Sequence, residues 1–246
     1  TLKGYSIKKV TSDPDNPKEG QVWYNSTEEK IKGRITFASA WASSGNIGTA
    51  RSQVVGTGTE TAGLIAGGLS PGGTEDKTEE YNGSTWSEQG DLSQSRRIGA
   101  FFGVQTAAAL AGGFAPPAVN NTEEYGGSSW TSGGNLPSTR SSSGGAGTQT
   151  AGLIFGGFTG GPPYDGITTT QEYDGSSWTN GGALGTARRS LMGDGTQTAA
   201  LAMGGDLTPG TITGSTEEYN GSAWTEGGTM GTARYSYGSS KAGTQI

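Results

Sequence analysis

The side chains available for catalysis in this chain are restricted, because its 246 residues include no His and no Cys. His is the commonest general base and metal ligand, and disulfides and thiolate metal sites need Cys. Any catalysis would therefore depend on carboxylates, Lys, Tyr or a carboxylate-bound metal. From this composition we expect no cofactor.

Acidic residues recur as adjacent pairs, and the pairs are Glu79-Glu80, Glu123-Glu124 and Glu217-Glu218. A divalent cation needs several oxygen ligands that converge on one point. Neighbouring residues of a strand point to opposite faces, so these pairs are typical of a solvated strand and not of a metal site. We predict that the chain binds no metal.

Glycoside hydrolysis is the enzyme class left open, and it needs two carboxyl groups within about 10 Å of each other across a cleft. The repeated Glu residues single out no such pair. Hydroxyl residues follow four of the Trp residues, but no base is available to activate them as nucleophiles; they are Ser87, Thr131, Thr179 and Thr225. We predict that the chain is not an enzyme, and a carboxylate-based glycan-cleaving enzyme stays as an alternative.

An internal repeat organises most of the chain. Five Trp are separated by 45, 44, 48 and 46 residues, and each is followed ten residues later by an Arg. These positions are Trp41, Trp86, Trp130, Trp178 and Trp224, with Arg51, Arg96, Arg140, Arg188 and Arg234. Seventeen residues after each of the first four Arg stands the second Gly of a Gly-Gly pair, and six residues before each of the last four Trp stands the Glu of a Glu-Tyr pair.

Only one spacing in the repeat varies. From Gly-Gly to Glu-Tyr the chain takes 12, 11, 15 and 13 residues. Constant spacings indicate strands and tight turns whose register is set by packing, and the variable one indicates an exposed connection. All length variation is therefore expected in one loop of each repeat.

Each repeat reads as four short strands. The first follows the Arg, as in residues 140–147, and the second is the apolar run that ends in Gly-Gly, as in residues 150–157. The third ends in Glu-Tyr, and a turn such as Asp174-Gly175 leads to the Trp that begins the fourth. Four-stranded antiparallel units repeated every 40 to 50 residues are typical of propeller blades.

The predicted fold is all-β, a five-bladed β-propeller of four-stranded antiparallel blades. Residues 1–16 form an N-terminal arm, and residues 17–246 form one propeller domain. The four complete blades are expected at about 51–95, 96–139, 140–187 and 188–233. The last blade is expected to be closed by both chain ends, residues 234–246 and 20–50, which would leave no open sheet edge between blades.

These landmarks resemble the kelch motif, in which a strand ends in Gly-Gly and a Tyr and then a Trp follow. The resemblance covers about residues 51–233 in four copies. The strand before Gly-Gly is richer in Ala than is usual in that family. The resemblance implies a kelch-type propeller.

The recurring Trp are expected to pack between neighbouring sheets. The recurring Arg and the Glu of the Glu-Tyr pairs suggest a ring of partly buried ion pairs, to which residues such as Glu172 would belong. The alternative is that each Arg stacks on a local aromatic ring while the Glu is solvated. Both alternatives make these residues structural.

The variable loops are expected to share one face of the propeller, because they join the second strand of each blade to the third. Their ranges are Leu69–Thr78, Phe114–Thr122, Phe158–Thr170 and Asp206–Thr216. Variable loops on a rigid scaffold are typical of binding surfaces. Candidate contact residues are Phe114, Phe158, Tyr164, Asp165 and Asp206. The alternative is harmless variation in loops that bind nothing.

Residues 13–35 resemble a pattern of tail-fibre and virion structural proteins of bacteriophages, especially marine ones. The pattern has Pro, then Gly-x-Val-Trp-Tyr-Asn, then a charged hairpin. The repeats also look like those of large cyanophage proteins. The resemblance implies a virion protein on tail, fibre or capsid, whose propeller contacts a bacterial surface glycan or protein, or one that only packs against other virion proteins.

Charge is distributed unevenly. Residues 1–35 carry seven basic and five acidic residues, whereas the remainder carries nine and seventeen. The acidic remainder argues against nucleic-acid binding, and no apolar run is long enough to cross a membrane. The positive segment Thr1–Val10 suggests an arm that docks on other virion proteins, with a disordered terminus as the alternative.

Overall fold

The computed structural model describes residues 7–18, 21–33, 43–162, 164–208 and 210–235. All regular secondary structure in these residues is β-strand. The part of the chain so described contains no helix long and apolar enough to cross a membrane. The chain divides into two compact units, residues 1–43 and residues 44–246. Residues 34–42, which include Trp41, and residues 236–246 lie outside the described ranges, so the closing blade stays a prediction.

The N-terminal unit (residues 1–43) contains a three-stranded sheet. Its strands are β1 (Lys8–Val10), β2 (Val22–Asn25) and β3 (Lys30–Gly33). β1 pairs parallel with β2, and β2 pairs antiparallel with β3. The predicted arm of residues 1–16 therefore contributes a strand to this sheet.

One carboxylate, in the segment after β1, binds side chains of β2 and β3. Asp13 accepts hydrogen bonds from Lys32 Nζ at 2.6 Å, Trp23 Nε1 at 2.9 Å and Asn25 Nδ2 at 2.8 Å. These donors, with Lys32 first, lower the pKa of Asp13 to about 2. The Trp-Tyr-Asn motif thus alternates between two faces of β2, and its Trp and Asn side chains meet on the face that binds Asp13.

The repeat region (residues 44–246) contains four antiparallel four-stranded sheets, named A to D in chain order. Sheet A consists of β4 (Val55–Thr59), β5 (Ala62–Ala66), β8 (Thr78–Tyr81) and β9 (Trp86–Glu88). Sheet B consists of β10 (Ala100–Val104), β11 (Ala107–Ala111), β12 (Thr122–Tyr125) and β13 (Trp130–Ser132). Sheet C consists of β14 (Gly144–Thr148), β15 (Ala151–Phe155), β16 (Thr170–Tyr173) and β17 (Trp178–Asn180). Sheet D consists of β18 (Met192–Thr196), β19 (Ala199–Met203), β22 (Ser215–Tyr219) and β23 (Trp224–Thr229).

This arrangement is propeller-like, and it confirms the all-β class and the four-stranded antiparallel units. Two short hairpins that the repeat does not predict lie in variable loops: β6 (Leu69–Ser70) with β7 (Gly73–Thr74), and β20 (Asp206–Thr208) with β21 (Thr211–Ile212). The expectation of a first strand over residues 140–147 needs correction, since β14 begins at Gly144. The Arg140 side chain is buried and Ser142 has a positive φ of 55°, so an extended strand cannot start there.

The turns between third and fourth strands form as predicted. The Asp174 carboxylate accepts hydrogen bonds from the backbone N–H groups of Ser176 and Ser177 at 2.8 and 2.7 Å. These donors hold the pKa of Asp174 well below its usual range. Asn82 and Asn220 make the same turn in sheets A and D. Such side-chain to backbone bonds favour a turn and bring the Trp strand back beside the third strand.

The segments that lead into the first strands of successive sheets are joined by backbone hydrogen bonds. Ser142 N donates to Ile98 O at 2.8 Å, and Ser190 N donates to Ser142 O at 2.7 Å. Ile98 N in turn donates to Gln53 O at 3.3 Å. These four residues occupy equivalent positions two residues after the repeat Arg, so a chain of backbone hydrogen bonds links the entry segments of all four sheets.

Each repeat Trp of sheets B to D reaches back to the sheet before it. Trp130 Nε1 donates to Thr78 Oγ1 at 2.8 Å, and the equivalent bonds are Trp178 to Thr122 at 3.1 Å and Trp224 to Thr170 at 2.9 Å. Each Trp ring also packs on the Tyr of its own third strand, with centroids 4.7 to 5.1 Å apart. A large apolar ring is thereby buried, in Trp178, or partly buried, in Trp130 and Trp224, between sheets while its N–H is satisfied.

Buried ion pairs tie the repeat Arg to the third strand. Arg96 lies 2.9 Å from Glu123, and Arg188 lies 2.8 Å from Glu217. Arg51 Nη1 lies 2.9 Å from Glu79 Oε1, outside good hydrogen-bond geometry. All three guanidinium groups are fully buried. The partner is the residue before the expected Glu, because only that residue points to the side of the strand where the Arg lies.

The Glu of the Glu-Tyr pairs in sheets A, B and C has a different role from the one expected. It accepts a hydrogen bond from the Tyr hydroxyl of the next sheet, and these bonds are Tyr125 to Glu80 at 2.9 Å, Tyr173 to Glu124 at 2.5 Å and Tyr219 to Glu172 at 2.6 Å. Glu172 therefore joins sheet C to sheet D and does not pair with Arg. Burial, and then the bonded carboxylate, raise the pKa of Tyr173 and of Tyr219 to about 12.

Sheet C departs from the ion-pair pattern at two positions together. Its third strand carries Gln171 where the other sheets carry the paired Glu. In those sheets a backbone N–H three residues before the Arg also donates to the carboxylate, as Ser93 N does to Glu123 at 2.9 Å. Here that position is Pro137, which has no N–H. Arg140 is thus buried in a sheet that carries Gln in place of the paired Glu, and burial lowers its pKa to about 10.

Restoring the pair in sheet C should stabilise the protein. We expect Gln171→Glu to raise the free energy of unfolding, because the carboxylate compensates a buried charge. Adding Pro137→Ser should contribute about 1–2 kcal/mol more than the sum of the single changes, since it returns the missing donor. Urea denaturation measures both. Thr131→Glu adds the same charge at an exposed site and should change little, and an unchanged stability in Gln171→Glu would contradict the expectation.

The inter-sheet Tyr–Glu bonds predict a stability loss at high pH. The pKa of Tyr173 is higher in the folded chain, about 12, than its ordinary value of 10.0. Its stabilisation is therefore complete below pH 10 and declines as the pH rises towards 12. Denaturation between pH 9 and 11.5 should show that wild type exceeds Tyr173→Phe in stability by a margin that shrinks with pH. Tyr235→Phe, at an exposed Tyr, should show no such margin, and a constant margin for Tyr173→Phe would refute the assignment.

Candidate functional site: the loop surface

The variable loop of each sheet is held at its start by the segment that enters the sheet. The residue after Gly-Gly forms an isolated bridge with the residue after the repeat Arg, and these bridges are Ser52–Leu69, Arg97–Phe114, Ser141–Phe158 and Arg189–Asp206. The second Gly also donates its N–H to the carbonyl of the next repeat Arg, as Gly113 does to Arg140 at 2.7 Å. The loops thus begin at equivalent, backbone-defined places.

Gly-Gly is required for this close approach. A Cβ on Gly67 would lie 2.1 Å from the carbonyl oxygen of Arg96, and the residue has a φ of +62°. A side chain there would clash with backbone and would also be strained. The pair therefore marks the point where each loop crosses the connection to the following sheet.

Phe114 and Phe158, two candidate contact residues, lie beneath arginines. The Arg97 guanidinium is 5.2 Å from the centroid of Phe114, and that of Arg189 is 5.6 Å from the centroid of Phe158. Phe158 is only 8% exposed and Phe114 is half-buried. Phe158 therefore lies below the surface and makes little contact with solvent. The Arg189 guanidinium covers the Phe158 ring, and the Arg97 guanidinium covers the Phe114 ring.

Arg97 and Arg189 are the site residues that sequence reasoning did not select. Each follows a repeat Arg directly, as the doublets Arg96-Arg97 and Arg188-Arg189. The first Arg of each doublet is buried in an ion pair, and the second faces the variable loop. The Arg-Arg doublets could have identified these residues from sequence, because the other two repeats, in sheets A and C, carry Ser after the repeat Arg.

Asp206, another candidate contact residue, is buried and paired with Arg189. Its Oδ2 accepts from Arg189 Nη2 at 3.0 Å and from Nε at 3.3 Å, and the residue is 8% exposed. Its Oδ1 is buried and has no hydrogen-bond partner within the described ranges. Asp206 therefore fixes the guanidinium that lies over Phe158.

Tyr164 and Asp165 remain at the surface. Tyr164 is 47% exposed, and its ring meets Phe158 edge to face at a centroid distance of 6.0 Å and an angle of 72°. Its N–H donates to Gly161 O at 3.0 Å and closes a turn. Asp165 is exposed next to it. These two side chains are the accessible part of the predicted contact set.

The loops of sheets B and C touch each other. A Cβ on Gly160 would lie 2.6 Å from Cβ of Ala118, and Thr139 Oγ1 donates to Thr159 O at 2.8 Å. We use the name loop surface for the residues joined in this way, which are Arg97, Phe114, Ala118, Phe158, Tyr164, Asp165, Arg189 and Asp206. The loop surface extends over three sheets and combines aromatic rings with fixed charges.

The remaining candidate positions have structural roles or lie elsewhere. Arg96, Arg140 and Arg188 are buried, and Arg234 is exposed at the end of the description. No group of three or more acidic residues in the described ranges could hold a metal ion. A cavity of about 1160 Å³ is lined by the first strands and Trp86, and Glu60 is its one acidic residue among the described lining. The described lining of that cavity holds no pair of carboxyl groups.

Neither a protein family nor a curated protein sequence matches this chain. The kelch and phage resemblances accordingly rest on the motifs alone.

Proposed function

We propose that this chain is a non-enzymatic structural protein of a bacteriophage virion whose loop surface recognises a glycan on the bacterial surface. The observation that carries the proposal is the joined set of variable loops, with the exposed Tyr164 supported by Phe158 and Arg189. The phage setting is supported by the resemblance of residues 13–35 to virion proteins. The kelch resemblance supports a propeller as the scaffold.

The scaffold suits recognition because its loops are anchored by buried bonds. Arg96 donates to Asn121 O at 3.0 Å and Arg188 donates to Ser215 O at 2.9 Å, at the ends of two variable loops. A loop fixed at both ends loses less conformational entropy when a ligand binds. The loop sequence can then vary without disturbing the sheets.

We also propose that a fifth sheet, built from residues near both chain ends, completes a kelch-type propeller. Gly205 N donates to Arg234 O at 2.9 Å, as the equivalent Gly does in each earlier repeat. At the other end Gly45 N donates to Ser84 O at 3.2 Å, as Gly90 N does to Ser128 O at 2.9 Å. Both ends of the repeat region thus follow the path that connects one sheet to the next.

Glycan binding can be tested on an array that carries bacterial surface polysaccharides. We expect the full chain to bind, and we expect binding to be lost when residues 159–166 are replaced by a short Gly-Ser linker. A matched replacement of residues 70–73, in the loop of sheet A, should retain binding. Unchanged melting temperatures would show that both variants fold. Binding to no glycan would favour a purely structural or decoration role, and release of sugar from the polysaccharides would contradict the non-enzymatic assignment.

Closure can be tested by truncation. A chain that ends at Tyr235 should have a melting temperature several degrees lower, because the edge of the fourth sheet would lose its neighbour. A chain that lacks residues 1–6 should melt as wild type does. Equal melting temperatures for the two truncated chains would argue against a fifth sheet that uses the C-terminal end.

A further inference from the structure

Tyr164 has a backbone conformation that the rest of the fold does not require. Its φ is +63°, in the left-handed region that non-Gly residues seldom adopt. Of the five other such residues in the described ranges, Gln53, Ile98, Ser142 and Ser190 share one repeat position and form the chain of bonds between the entry segments, and Glu29 lies in the turn between β2 and β3. Tyr164 has no counterpart in other repeats. Strain of this kind is often retained where a side chain must be presented for function.

The strained turn presents an aromatic ring with firm support. The edge-to-face contact with Phe158 leaves Tyr164 47% exposed, while the Phe158 backbone is bonded to Ser141 in both directions at 3.0 Å. The Arg189 guanidinium, fixed by Asp206, lies over Phe158. An exposed ring held in this way can stack on a flat apolar surface at little cost in side-chain entropy.

The residue that follows Tyr164 in the chain indicates the class of ligand. The exposed Asp165 carboxylate can only accept hydrogen bonds, so it matches hydroxyl donors. Anionic sugars would be repelled by Asp165 and by the excess of acidic over basic residues in the repeat region, seventeen against nine. A pyranose ring offers both an apolar C–H face for the Tyr ring and hydroxyl groups for the carboxylate.

We infer that Tyr164 and Asp165 form a sugar-binding subsite for a neutral hexopyranose unit, with Tyr164 stacking on the sugar ring and Asp165 accepting from its hydroxyl groups. The inference rests on the proposed function, and it names the residues and the sugar class that the glycan contact would use. Phe158, Arg189 and Asp206 position the Tyr164 ring and do not touch the sugar.

The test is a titration of the full chain with defined oligosaccharides, followed by saturation-transfer-difference NMR. Maltotetraose, β-1,4-galactotetraose and β-1,4-mannotetraose are the neutral probes, and tetragalacturonate is the acidic one. We expect at least one neutral probe to bind and the acidic probe not to bind. Tyr164→Ala and Asp165→Asn should each weaken binding at least tenfold, whereas Tyr164→Phe should retain it. Tyr235→Ala, at a Tyr that is 43% exposed, is the matched control and should bind as wild type does.

Each outcome decides between the subsite and the proposed function. Wild-type affinity in Tyr164→Ala, or binding of tetragalacturonate alone, would overturn the subsite and leave glycan recognition standing. Failure of the wild-type chain to bind any oligosaccharide or any polysaccharide of the array would overturn both. Melting temperatures of the variants within a degree of wild type would exclude unfolding as the cause of lost binding.

Discussion

The burial of one guanidinium group in each sheet is the constraint on which the repeat region depends. The repeat Arg leaves the connection between sheets and enters the space beside the third strand, where Glu123 and Glu217 supply countercharges in sheets B and D. It also donates to the carbonyl groups at the end of the variable loop. Removing one partner of such a pair leaves a buried charge uncompensated and costs about 3–5 kcal/mol. One side chain thus fixes both the strand and the loop that precedes it.

The hydrogen bonds between sheets are also repeated from one sheet to the next. Each sheet satisfies donors of the next one through the Trp–Thr and Tyr–Glu bonds, and Gln side chains add a third link. Gln149 Nε2, for example, donates to Ala108 O at 3.1 Å and to Tyr125 O at 2.8 Å. Sheets B, C and D all carry this Gln. Because every link joins neighbours only, insertions in a loop do not propagate through the frame.

The same frame explains why the loop surface can be both rigid and variable. Its backbone anchors lie at Gly-Gly and at the repeat Arg, which recur in every sheet, whereas the exposed side chains lie between the anchors. Arg97 and Arg189 occupy equivalent positions but have different loop neighbours. Arg97 lies over Phe114 of its own sheet. Arg189 binds Asp206 of its own sheet and lies over Phe158 of the adjacent sheet. A conserved geometry with changing side chains is the arrangement that recognition proteins use.

By itself the sequence determined the all-β class, the four-stranded units, the Trp that begins each fourth strand and the loop in which length varies. Fixed spacings allow this, because strand register and turn type are local properties of residues such as Asp174-Gly175. It did not determine which Glu of an adjacent pair meets the Arg. That choice depends on which face of the strand is packed, and strand alternation alone leaves both faces equivalent until neighbouring sheets are in place. For the same reason only the tertiary structure placed Phe158 beneath Arg189 and left Tyr164 exposed, since these contacts join residues of different sheets.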